Sequence, residues 1–167
     1  MNAYDTTRCL LGPASLSDLE FIALHMRADE RAQWCALTGA AEYDPWLCAR
    51  SLAAQDGPQY VLLDSQQQPI ACGGFVEHRP RVWMTWAAAV EGAWALYWPD
   101  ITAHCREQMD ALFTSGRARR IETIALASRT AAHRWYRKGL RQQYEGTHPC
   151  YFADGQAAVT YARTVEG

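Results

Sequence analysis

Lysine is almost missing from this chain: one residue, Lys138, stands against fifteen arginines. Paired cysteines are missing too. Cys9, Cys35, Cys48, Cys72, Cys105 and Cys150 are scattered with no C-x-x-C pair, which argues against both a zinc site and a disulfide framework. They read as small, mostly buried apolar side chains. No apolar run approaches the ~20 residues that a membrane-crossing helix needs. The opening residues, MNAYDTTRCLLG, lack the basic and apolar regions of a signal peptide, so the expected location is the cytoplasm. Internal repeats, low-complexity tracts and domain linkers are also lacking. The 167 residues are therefore expected to form one domain over 1–167.

What is present suits a folded globule. Hydrophobic residues make up 49% and charged residues 20%, enough for a sizeable core beneath a solvated surface. The near-balanced charge is unevenly spread. Residues 1–116 carry 7 basic and 14 acidic side chains, whereas residues 117–141 carry eight basic ones and a single acid, Glu122. This block suits a polyanion, and equally a solvated helix face.

Along the chain, Ser15 to Gly39 reads as helix, with Ser15 or Ser17 as cap, a break near Ala28–Asp29 and Gly39 as stop. A short helix runs from Trp46 to Ala54, capped by Asp44 with Pro45 in its first turn. Three strands follow, Tyr60–Leu63, Ile70–Glu77 and Arg81–Val90, as an antiparallel meander. Gly73-Gly74 inside the second suggests a bulge or a close backbone approach. Pro99–Phe113 has helical spacing, Arg120–Leu126 is a strand, and Ser128 caps a helix to about Lys138. Gln143–Phe152 and Ala157–Arg163 close the chain as strands around Asp154-Gly155. The order predicts an α/β (α+β) fold with a mixed, mostly antiparallel, twisted sheet of six to seven strands flanked by helices.

Several segments resemble a known family. They are Arg120-Ile-Glu-Thr-Ile-Ala-Leu126, Ala132-His-Arg-Trp-Tyr-Arg-Lys-Gly-Leu140, Tyr144-Glu-Gly146, Tyr151-Phe-Ala-Asp-Gly155 and Val159-Thr-Tyr-Ala-Arg163. Together they are similar to the C-terminal half of phage-encoded members of the GNAT superfamily of acyl-CoA-dependent N-acyltransferases. Met26–Glu30 and Ala36–Gly39 also resemble those proteins, and more faintly the internal virion proteins of podoviruses.

The resemblance implies acetyl-CoA as cofactor and a small-molecule or protein amine as acceptor. It implies that two strands part to admit the pantetheine arm after Val90, with Ala88 and Val90 as its backbone contacts. The diphosphate would sit at the start of the next helix. Here that loop, Glu91–Asp100, has one glycine, no lysine or arginine, two tryptophans and an acid at each end. The basic block, with Arg129 at the next helix start, is the alternative holder of the phosphates. Tyr136 is the candidate general acid, although its spacing to Gly139 places Trp135 at the family's usual position. Glu77, beside His78, and Glu30 are candidate general bases. No Ser, Cys or His arrangement suggests a covalent nucleophile, and no metal is expected.

Trp83, Trp86, Trp94 and Trp98 crowd one strand and its following loop. In the gap they would block a coenzyme; exposed, they would suit a protein partner. Two functions therefore stand side by side. One is an acetyltransferase acting by direct attack of an amine on a bound thioester. The other is an inactive phage virion, tail or ejection-associated protein that partners other phage structural proteins. The basic block sits on one strand–helix unit of an otherwise acidic chain, without a nucleic-acid motif, which argues against a nucleic-acid partner.

Overall fold

The computed structural model describes residues 9–165. Seven strands form one sheet in the order β1-β2-β3-β4-β5-β7-β6. They are β1 (Leu10–Pro13), β2 (Gln59–Leu63), β3 (Pro69–Arg79), β4 (Val82–Ala89), β5 (Arg120–Leu126), β6 (Gln143–His148) and β7 (Ala158–Thr164). Every neighbouring pair is antiparallel except β4 and β5. The expected mixed sheet is thus observed, with one strand more at its edge: β1, a four-residue LLGP segment that pairs with β2.

Helices cover both faces because the strands alternate. On one face, α1 (Leu16–His25), α2 (Ala28–Thr38) and α3 (Pro45–Ala53) bury Leu19, Ile22, Trp34, Cys48 and Leu52 against Val61, Cys72 and Ala88. On the other, α4 (Ala93–Thr114) lays Met109 and Leu112 on Phe75, Trp83 and Ile121. The same face carries α5 (Thr130–Arg134), which runs straight into a π-helical turn, Trp135–Gly139.

Local chemistry sets the helix ends. Ser15 and Asp18 form a reciprocal capping box at α1. The Asp44 carboxylate accepts the amides of Trp46 (2.8 Å) and Leu47 (3.0 Å) at α3. Gly39 ends α2 in the left-handed region, at φ +72°. Two expected boundaries move. Helix α4 starts at Ala93, six residues before Pro99, and carries that proline in its interior. Helix α5 is preceded by Arg129, whose side chain makes no cap, so Ser128 does not have the expected role. The sixth strand also stops at His148, short of Phe152.

The glycine pair in β3 marks a close approach, as one of its two readings had it. A Cβ on Gly74 would lie 2.9 Å from the Trp86 indole of β4, and one on Gly73 would lie 2.8 Å from the Trp86 carbonyl oxygen. The bulges of β3 lie elsewhere, between Leu62 and Leu63 of its partner and between Glu77 and Arg79. No disulfide involves Cys35, Cys48, Cys72, Cys105 or Cys150; Cys9, Cys48 and Cys72 are buried, while Cys150 is exposed.

Candidate active site at the split between two strands

The parallel pair is short. Strands β4 and β5 align only at Val82–Arg120, Trp83–Ile121 and Met84–Glu122. Beyond Met84 each strand runs on without the other, β4 to Ala89 and β5 to Leu126. The strands therefore part five residues earlier than Ala89, not after Val90 as the sequence suggested. A split between parallel strands leaves unpaired backbone groups at their carboxyl ends, a recurrent place for ligands in α/β sheets.

Helix α2 answers two of those groups. Glu30 Oε2 accepts the Ala89 amide at 2.8 Å, and Gln33 Oε1 accepts the Leu126 amide at 2.7 Å. The two side chains lie three residues apart, on one helix face. A single helix thus reaches both lips of the split. Gln33 Nε2 is buried and has no hydrogen-bond partner.

Glu30 is the centre of the site. It is 4% exposed, and its other carboxylate oxygen accepts the Trp94 indole N–H at 2.7 Å. The Arg129 guanidinium lies 3.8 Å from the same oxygen and 3.1 Å from Asp29. Burial pushes the Glu30 carboxyl above the usual carboxylate range; the Ala89 amide, the Trp94 indole and Arg129 pull against it. Tyr136 is also buried and borders the same space. Burial pushes its phenol up, and the nearby Arg129 draws it back.

These groups front a cavity of about 790 Å³ that runs from Ala87 of β4 between α4 and the α5–π segment. Trp94 packs edge-on against Trp135 at 4.7 Å between ring centres, and Trp135 donates its indole N–H to Thr102 at 2.9 Å. These two indoles, with Trp98, line the cavity wall and leave the space open. The π-helical turn explains the spacing puzzle around Gly139. Widening the turn brings both Trp135 and Tyr136 onto the cavity wall.

Three solved structures superimpose on nearly the whole chain. RimL, the ribosomal L7/L12 alpha-N-protein acetyltransferase in complex with coenzyme A, matches at TM-score 0.72 and 13% identity over 97% of this chain and 96% of that one. AAC(6')-Ib in complex with ribostamycin and coenzyme A matches at 0.69 and 18% over 95% and 94%. A GNAT-family acetyltransferase from Bacillus anthracis matches at 0.71 and 11% over 96% of both chains. The fold is the GNAT fold. No protein-family model matches the sequence, and no curated protein matches it.

Within this GNAT fold the residues expected from the sequence separate into two groups. Glu30, Tyr136 and Arg129 meet at the cavity. Glu77 does not. It is exposed at the β3–β4 hairpin, where its carboxylate accepts the Arg81 amide at 2.7 Å, and His78 beside it is exposed as well. Val90 is also displaced from its expected role, because its amide already donates to Ile70 O at 3.0 Å. Ala88 shares that parity, sitting opposite Cys72 of β3, so the strand edge turned to the split belongs to Ala87 and Ala89. Arg129 lines the cavity, but its Nε and Nη2 face Asp29 and Glu30, which offset its charge.

Sequence reasoning missed Gln33, Trp94 as a partner of Glu30, and Thr102. Trp94 stood out only as one of the crowded tryptophans, and Gln33 only as a polar residue three places after Glu30. Among the described residues no group of three or more His, Cys, Asp or Glu side chains is placed to hold a metal ion. No helix among them is long and apolar enough to cross a membrane.

Gly139 gives a direct test of the wall. A Cβ there would lie 2.4 Å from the Trp135 ring. Gly139→Ala is expected to lower the unfolding free energy by about 1–3 kcal/mol, the usual cost of overpacking. Urea titration should show an earlier midpoint with an unchanged slope.

Proposed function

We propose that this protein is an N-acyltransferase that moves an acetyl group from acetyl-CoA to an amine. The observation that carries the reading is the split itself. The parallel pair of β4 and β5 parts after Met84–Glu122, and a buried carboxylate and a buried phenol stand at the cavity that opens there.

The residues present fit such a coenzyme. The cavity of about 790 Å³ has the room for a pantetheine arm, and Ala87 offers a strand edge beside it. Acetyl-CoA, when bound, supplies a thioester carbonyl open to attack. The Glu30 carboxylate can take the proton of an incoming ammonium, directly or through one water. Its raised pKa makes it a better base than a surface glutamate. The Tyr136 hydroxyl, kept protonated by burial, can return a proton to a departing thiolate. Arg129 orients Glu30 and balances its charge. The indoles of Trp94 and Trp135 keep bulk water from this end of the cavity.

The acceptor class, small-molecule or protein amine, and the phage-type origin rest on the sequence resemblance over residues 120–163. The names of two structural neighbours, one modifying a ribosomal protein and one bound to ribostamycin, cover both acceptor classes.

Calorimetric titration with acetyl-CoA tests the reading. Saturable binding is expected, together with a thermal midpoint that climbs as the coenzyme concentration rises above Kd. Thiol release with an amine panel should follow. Flat heats would remove the enzyme and leave a scaffold that shares the fold.

A further inference from the structure

Acyl-CoA carries several negative charges on its phosphates, and the usual receptor for a diphosphate at this kind of split is the turn that opens the next helix. In this protein two amides of that turn are already taken. The Glu91 amide donates to His25 O at 2.9 Å, and the Ala93 amide donates to Val90 O at 3.1 Å. The turn carries the acid Glu91, and residues 82–105 contain no lysine or arginine. The phosphates need another cation source, and the charge of Arg129 is already offset by Asp29 and Glu30.

The opposite wall supplies one. Arg134 and Lys138 lie four residues apart on the α5–π segment, and both are exposed. Neither forms an ion pair among the described residues. Both border the catalytic cavity and also a second hollow of about 660 Å³ on the far side of the same segment. They thus form a cationic ridge at the mouth. Arg106 of α4 fixes that ridge in place. Its Nε donates to Gly139 O and its Nη2 to Lys138 O at 3.1 Å, tying the end of the π-helical turn to α4.

Resting on the acyltransferase reading, we propose that Arg134 and Lys138 are the phosphate anchors of this site, so that the coenzyme's anionic end is held by the α5–π wall and not by the β4–α4 turn. Both side chains are long and mobile, suited to phosphate oxygens as charge-assisted donors. The α5–π segment then has two tasks: its buried side presents Tyr136 to the chemistry, and its outer side presents the anchors.

The test compares two probes, coenzyme A and pantetheine, on three proteins by calorimetry: the parent, Arg134→Ala/Lys138→Ala, and Arg79→Ala/Arg119→Ala. The last pair removes the same charge from exposed positions outside the cavity lining. The parent should bind coenzyme A far more tightly than pantetheine. The ridge variant should lose roughly 10- to 100-fold in coenzyme A affinity, the effect of removing charge-assisted hydrogen bonds, with pantetheine affinity unchanged. The control variant should match the parent. If the ridge variant keeps the preference for coenzyme A, or the control loses it equally, the anchors are not these residues. If the parent binds both probes equally, this assignment fails and the acyltransferase reading stands. If it binds neither, that reading itself falls and takes the ridge with it.

Discussion

Glu30→Gln is expected to lower kcat/KM for acetyl transfer by roughly 10²- to 10⁴-fold, the range for losing a general base. The amide oxygen can still accept the Ala89 N–H, so the β4 edge stays tied to α2. What disappears is the proton acceptor and the negative charge facing Arg129. On the acyltransferase reading the parent protein should show an acid limb in kcat/KM, because Glu30 would serve as base only when ionised. Burial raises its pKa, so the limb lies above the ordinary carboxylate value of about 4.3. In the glutamine variant that limb should vanish while coenzyme A affinity persists. A glutamine variant with parental turnover and an unchanged limb would place the base elsewhere.

The second large effect concerns Arg129. Its side chain is 9% exposed and faces the Glu30 side chain, 3% exposed, along with Asp29. Removing one member of a buried charge pair leaves the other without a counter-charge, which costs about 3–5 kcal/mol. Arg129→Ala should therefore unfold at markedly lower urea concentration. The pH dependence has a definite sign. Folding raises the Glu30 pKa, so the native state binds that proton more tightly than the unfolded chain. Its contribution is fully present below the unfolded pKa and declines as pH climbs through the raised value. Arg129 lowers that pKa, so its loss moves the limb further up and steepens the decline near neutrality. A variant as stable as the parent at pH 7 would show that the pair contributes nothing.

The element order was readable because each helix and strand carries its own period. Leu19, Ile22 and Met26 recur at helical spacing, and the β3 and β4 segments are bounded by turn residues. The edge strand β1 was not, since four residues including Gly12 and Pro13 offer no alternation to read. Pro99 misled the placement of α4. A proline usually opens a helix, yet here Gly92 at φ +81° opens it and the proline is accommodated inside.

At the cavity, the positions of Glu30 and Tyr136 follow from the elements that carry them, α2 and the π-helical turn. The choice of Ala88 and Val90 over Ala87 and Ala89 was not decidable from sequence. Ala87-Ala88-Ala89-Val90 is uniformly small and apolar, and the face of a strand is read from contrast between neighbours. Arg129 reads as a phosphate ligand until its partners are known, and those partners, Asp29 and Glu30, stand about a hundred positions away in the chain.

The contact of α2 with both lips of the split has a mechanical outcome. The sheet is two leaves joined by a spine of three residue pairs, and one rigid rod grips each leaf near its free tip. Both leaf tips are therefore tied to the same helix, which braces the gap between them.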